Sequence, residues 1–170
     1  FSDDDVIHVS GSVDPSRDIE IINLELALSD LNQIEKRRTR LKKQISTNKE
    51  AKLEDDVLEK LKLALENENA VRSVSLTAEE KKLVKPLGLL TEKPIIYATN
   101  LGEDELAKGN SFSEEVNILA RKEGAECVKI SAQVEAELIE LGEEERDDYL
   151  NGLGVEEGGL ISLIKATYRL

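Results

Sequence analysis

The chain has 170 residues and a formal net charge of −13, with 39% hydrophobic, 35% charged and only 3% aromatic residues. One cysteine and one histidine exclude an internal disulfide and argue against a Cys/His metal centre. No apolar run approaches the ~20 residues that span a bilayer, and the acidic balance opposes nucleic-acid binding by the surface as a whole. The expectation is a soluble, intracellular chain with no membrane partner and no DNA specificity. The core must be mostly Leu, Ile, Val and Ala, which suits helices. Charge above the roughly 25% usual for globular chains predicts long solvated helical surface. The absence of Met and the opening on Phe1 suggest a processed or truncated piece, or only the ordered part of a longer chain.

Val6–Ser10 is a short β-prone run closed by Gly11 and the turn-forming Asp14-Pro15, and Pro15 suits the first turn of a helix. From Asp18 the pattern is helical for about eight turns. Ile21, Leu24, Leu28 and Leu31 form a seam at spacings of three and four, continued less regularly by Ile34, Leu41 and Ile45. Ser46-Thr47-Asn48 has turn chemistry, and a return helix from Lys49 places Leu53, Val57, Leu61 and Leu65 on one stripe. The two segments predict an antiparallel hairpin with its tip at 46–50. Val71–Leu76 reads as a non-helical connection, and Thr77-Ala78-Glu79-Glu80 as a capping box opening a short helix that Pro86 and Gly88 end.

After Leu90 the pattern becomes α/β. Pro94–Thr99 predicts a strand covered on both faces. A helix over 113–123 turns Val116, Leu119 and Ala120 inward and ends at Gly124. A second strand spans 126–130, and helices follow at about 133–141, 143–151 and 159–169. Strand, helix and strand at this spacing predict a right-handed parallel crossover.

Two loops follow the two strands at the same end of the inferred sheet, where open α/β sheets bind ligands. The first carries Asn100 and Glu103. An amide at a strand end can donate to and accept from a purine edge, and a carboxylate three residues on can reach the base's donors. Equally, Asn100 can simply turn the chain. The second loop, Ser131-Ala132, serves either tight packing or base contact.

The stretch 35–52 holds eight basic residues against two acids, while 133–170 holds ten acids against three bases. Lys36, Arg37, Arg40 and Lys43 are candidates for RNA or ribosome contact through phosphates, with a solvated helical face as the alternative. The acids Glu143-Glu144-Glu145 and Asp147-Asp148 fit a helix amino terminus. No G-x-x-x-x-G-K-[ST] phosphate loop occurs in these residues.

Three segments, HVSGSVDPSRDIEIINLELALSDL (8–31), LTAEEKKLVKPLGLLTEKPIIYATNLGED (76–104) and ISAQVEAELIELGEEERDDYLNGLGVEEGGLISLIKATYRL (130–170), together resemble the YchF/Obg-like ATPases, P-loop proteins of the translation-factor-related GTPase class. The resemblance covers essentially the whole chain. It implies that the family's phosphate loop and switch regions lie before Phe1 and its TGS domain after Leu170. The implied fold is α/β: the C-terminal half of a P-loop GTPase-like domain with parallel strands, interrupted by an antiparallel helical coiled-coil insertion and predominantly helical overall. Residues 1–17 and 91–170 would form the partial nucleotide-binding domain, and 18–90 the coiled-coil arm.

The resemblance also implies base contacts from Asn100, Leu101, Glu103, Ser131, Ala132 and Gln133, with N-x-x-E standing where GTPases of the class carry N-K-x-D. It implies ATP or GTP with Mg²⁺ as cofactors of a complete protein, none bound tightly by these residues alone, and no catalytic residue or metal ligand here. The partner implied is the ribosome or ribosomal RNA, in the cytoplasm or in a plastid or mitochondrion. Exposed strand edges would favour self-association of the piece. A different class of reading is a non-enzymatic helical interaction module whose α/β part is only a scaffold.

Overall fold

A computed structural model describes residues 13–170; the expected Val6–Ser10 strand and His8 lie outside the described residues. The chain divides into two compact units, one of Asp18–Pro94 and one of Ile95–Leu170 with the described residues up to Arg17. Among the described residues no helix is long and apolar enough to cross a membrane.

The helical unit is built around α1 (Pro15–Leu41) and α2 (Lys49–Glu66). Pro15 occupies the first helical position, and the Asp14 carboxylate accepts from the Arg17 amide at 3.0 Å, satisfying one of the donors that a helix start leaves open. At the next start, Asn48 Oδ1 accepts from the Glu50 and Ala51 amides at 2.9 and 3.3 Å. The stripe Val57, Leu61 and Leu65 is buried, joined by Leu58, Ile34, Leu41, Val71, Val84 and Leu89, and Leu53 packs against this cluster. Arg37 forks onto Glu54 at 2.6 and 2.8 Å, Arg38 pairs with Asp55 and Glu59, and Lys62 lies 3.4 Å from Glu35. Arg37 and Arg38 meet residues 54–59 of α2, whereas Glu35, nearer the start of α1, lies by Lys62 nearer the end of α2, as antiparallel helices require.

The seam expected at the start of α1 is not covered. Ile21, Leu24 and Leu28 are each about half exposed (46%, 56% and 55%), and the buried positions of this helix are Asp30, Ile34 and Leu41. Asp30 is completely buried, accepting from the Leu90 amide at 2.8 Å, the Thr91 amide at 2.8 Å and the Thr91 hydroxyl at 2.7 Å. The buried face is thus set by where residues 89–91 return to α1, which helical periodicity does not encode. Thr77 caps α3 (Ala78–Val84) with the reciprocal Glu80 bond expected of a capping box. Short 3₁₀ turns at Val71–Ser73, Lys85–Leu87 and Leu90–Glu92 connect the rest.

In the α/β unit, β1 (Ile96–Asn100) and β2 (Glu126–Ile130) pair in parallel with Ile96 opposite Glu126 and Asn100 opposite Ile130. The connecting α4 (Ser111–Glu123) starts at Asn110, which exchanges side-chain bonds with Ser113, and stops at Gly124 with φ 66°. β1 starts two residues after Pro94, which has no N–H to donate, and none of its residues is fully buried. The expectation of two covered faces fails for this strand within the described residues.

α5 (Ala132–Glu140), α6 (Glu143–Leu153) and α7 (Gly159–Arg169) complete the unit. Leu106, Val134, Leu138 and Leu150 form its small core. α7 packs on β2 through Gly159, where a Cβ would stand 2.9 Å from Ile130 Cα and 3.0 Å from the Lys129 carbonyl oxygen.

Candidate functional site

Parallel pairing puts the carboxyl ends of β1 and β2 side by side, so the chain leaves both strands at one edge of the sheet. The pairing continues one residue past β1, with the Leu101 amide donating to the Ile130 carbonyl at 2.8 Å. Asn100 Oδ1 then accepts from the Ala132 amide at 3.1 Å. That bond ties the two loops together across 32 residues of sequence. It uses the amide oxygen and leaves the Asn100 N–H donors for a ligand.

Ser131 is 1% exposed, and its hydroxyl caps α5 by accepting from the Val134 amide at 3.4 Å. Its side chain supports the loop, and the neighbouring backbone is the exposed part. Leu101 is 4% exposed, so its side chain serves the core and only its backbone is available to a base. Gln133 is exposed and donates to Glu137 Oε1 at 3.2 Å. Glu103, in a 3₁₀ turn Glu103–Glu105, is half-buried.

Tyr149 on α6 was not among the sequence candidates. Its hydroxyl donates to Glu137 and stands 3.3 Å from Glu103 Oε1. The Glu137 bond, burial and the charges of Glu103 and Glu137 push the phenol well above its ordinary pKa. Glu137 is correspondingly held below the usual carboxylate range, first by Tyr149 and then by Gln133. The sequence signal for this contact was weak, because a tyrosine 46 residues from Glu103 belongs to no short motif.

Other features bear on the chemistry open to these residues. No group of three or more His, Cys, Asp or Glu able to hold a metal occurs among the described residues. Burial pushes the Cys127 thiol up, opposed by the charge of Lys129. At the start of α6 the Glu145 carboxylate accepts from the Gly142 amide at 3.1 Å, in keeping with acids at a helix amino terminus. Of the basic candidates, Lys36, Arg40 and Lys43 are exposed on the helical unit, whereas the Arg37 charge is taken up by Glu54.

Comparison with known proteins finds relatives along the whole chain. The chain is 49% identical to the ribosome-binding ATPase YchF of Bacillus subtilis (strain 168) over 173 residues, covering all of this chain and 47% of that protein. It is 44% identical to the ribosome-binding ATPase YchF of Escherichia coli O157:H7, with the same coverage. The solved structure of the Schizosaccharomyces pombe YchF GTPase superposes with a TM-score of 0.87 at 30% identity, over 99% of this chain and 47% of that one. The chain therefore spans about half the length of the curated relatives it matches. No family model matches it.

Proposed function

We propose that this chain, which belongs to the YchF family, supplies the base-reading edge of a nucleotide site within an ATPase that works on the ribosome. The Asn100–Ala132 bond carries this reading, because it makes one rigid edge of two loops that a purine must meet together. The Asn100 N–H groups would donate to the base, Glu103 would accept from its exocyclic amine, and the backbone at Leu101 and Ser131-Ala132 would line it, with Gln133 at the rim. The fine fold reading is the C-terminal half of a P-loop GTPase-like domain carrying a helical arm at 18–90.

Glu103 of the N-x-x-E pattern stands where GTPases of the class carry the Asp of N-K-x-D, which supports a relaxed guanine preference, with ATP bound at least as well as GTP. In the N-K-x-D motif the Asp accepts from guanine N1–H and the 2-amine, and adenine offers no N1–H. By the family resemblance, binding of the phosphates and Mg²⁺, and hydrolysis, would fall to other groups of a complete protein. Affinities of the complete protein for ATP and GTP test the reading. ATP is expected to bind at least as tightly, and a hundredfold preference for GTP would refute it.

The arm is the proposed ribosome-docking element, supported by the exposed Lys36, Arg40 and Lys43. Reversing these three charges in the complete protein should weaken ribosome co-sedimentation, and more so as salt is lowered. Arg37 is left out of the set because reversing it would oppose Glu54 and unsettle the hairpin. Unchanged sedimentation across a salt series would remove the arm from the docking surface.

A further inference from the structure

We propose that Tyr149 is a second base-reading residue of this site, its hydroxyl addressing N1 of adenine beside the Glu103 carboxylate. The inference rests on the base-reading edge proposed above and names a residue outside the N-x-x-E and Ser-Ala loops. Glu103 Oε1 and the Tyr149 hydroxyl oxygen lie 3.3 Å apart, and Glu103 follows Asn100 by three residues in the loop that Asn100 ties to Ala132. An ionised carboxylate only accepts, while a phenol donates or accepts. Adenine shows the complementary pair on adjacent atoms, an exocyclic amine that donates and N1 that accepts. Guanine N1 carries a hydrogen and cannot accept from the hydroxyl, so the tyrosine bond to N1 is available to adenine alone.

The single phenolic proton is contested by two carboxylates. In the absence of a base it goes to Glu137, the nearer partner. Glu103 therefore keeps its lone pairs for the exocyclic amine, and an arriving N1 would draw the hydroxyl from Glu137. Gln133 remains at 3.2 Å to satisfy Glu137 when that happens. The two neighbouring carboxylates push the phenol pKa up, which favours the protonated, donating form. The ring also packs against the small core of the unit, so Tyr149→Phe removes the hydroxyl and keeps the packing.

The test uses the complete protein and three triphosphates: ATP, GTP and 1-deaza-ATP, which has the exocyclic amine but no N1 acceptor. Tyr149→Phe should weaken ATP about five- to thirtyfold, the scale of one desolvated hydrogen bond. GTP should change by less than about twofold, and 1-deaza-ATP should bind the parent and the variant equally. Equal losses for ATP and 1-deaza-ATP, or no loss for either, would overturn the assignment. Asn100→Ala separates the two levels. If it weakens ATP while Tyr149→Phe is silent, only the tyrosine assignment fails; if it is silent too, the base-reading edge itself is wrong.

Discussion

The helical unit and the α/β unit are held together by different means. In Asp18–Pro94, ten buried apolar residues form one continuous cluster, and a buried carboxylate fixes the returning chain to α1. In Ile95–Leu170 the principal cluster has four buried members, and the decisive contacts involve the backbone: the β1–β2 pairing, the Ala132 amide held by the Asn100 side chain and the seat of Gly159 on β2. Ile139 is 75% exposed there, and Leu160, Ile161 and Ile164 on α7 are each about half exposed. Side-chain volume should therefore govern the first unit, and backbone proximity the second.

The largest expected effect follows from volume. Leu61 is fully buried, and Leu61→Ala should cost about 2–5 kcal/mol, the range for a cavity in a close-packed core. Leu160→Ala, the same change on the half-exposed face of α7, should cost less than about 0.5 kcal/mol. Urea unfolding of both variants checks the pair, and equal losses would abolish the distinction between the units.

Asp30→Ala comes next. It strands two amides and one hydroxyl that are otherwise fully bonded, and should cost about 3 kcal/mol. Hydrogen exchange at the Leu90 and Thr91 amides should accelerate in this variant, while β2 amides keep their protection. Loss of β2 protection would show that the units unfold as one. For the α/β unit the matching change is Gly159→Ala. It inserts a methyl against the Ile130 backbone, and overpacking of this kind costs about 1–3 kcal/mol. A neutral result would mean that α7 shifts freely on the sheet.

These contrasts mark what the sequence made legible. Contiguous signals were read correctly: the stripe Val57, Leu61 and Leu65, the Thr77–Glu80 box, and β2 at its observed limits. Asn100 and Ala132 were placed at one edge, because two strands joined by one helix must run parallel. Ile21, Leu24 and Leu28 misled, since periodicity identifies an apolar face but not whether anything covers it. Asp30 looked like one more charge on a solvated helix because its partners are 60 and 61 residues away. Tyr149 was missed for the same reason: side-chain contacts across long separations leave no local pattern.

The smallest expected effect sharpens the account of the local signals, and it depends on pH. The Thr77 amide donates to Glu80 Oε2 at 2.6 Å, and the Glu80 amide donates to the Thr77 hydroxyl at 3.2 Å. The backbone bond from Thr77, then its side chain, hold the Glu80 carboxyl below its usual range. A lowered folded pKa means that this contribution is complete above the unfolded carboxylate value and is lost as the pH falls through the folded one. A carboxyl-carbon NMR titration should therefore show Glu80 protonating at a lower pH in the folded chain than in the urea-unfolded chain. Thr77→Ala removes a cap worth about 1 kcal/mol but retains the amide at position 77. The Glu80 midpoint should then rise only part of the way to the unfolded value. A complete rise would mean that the amide bond depends on the hydroxyl to hold it in place, and no rise would mean that the amide alone shifts the carboxyl.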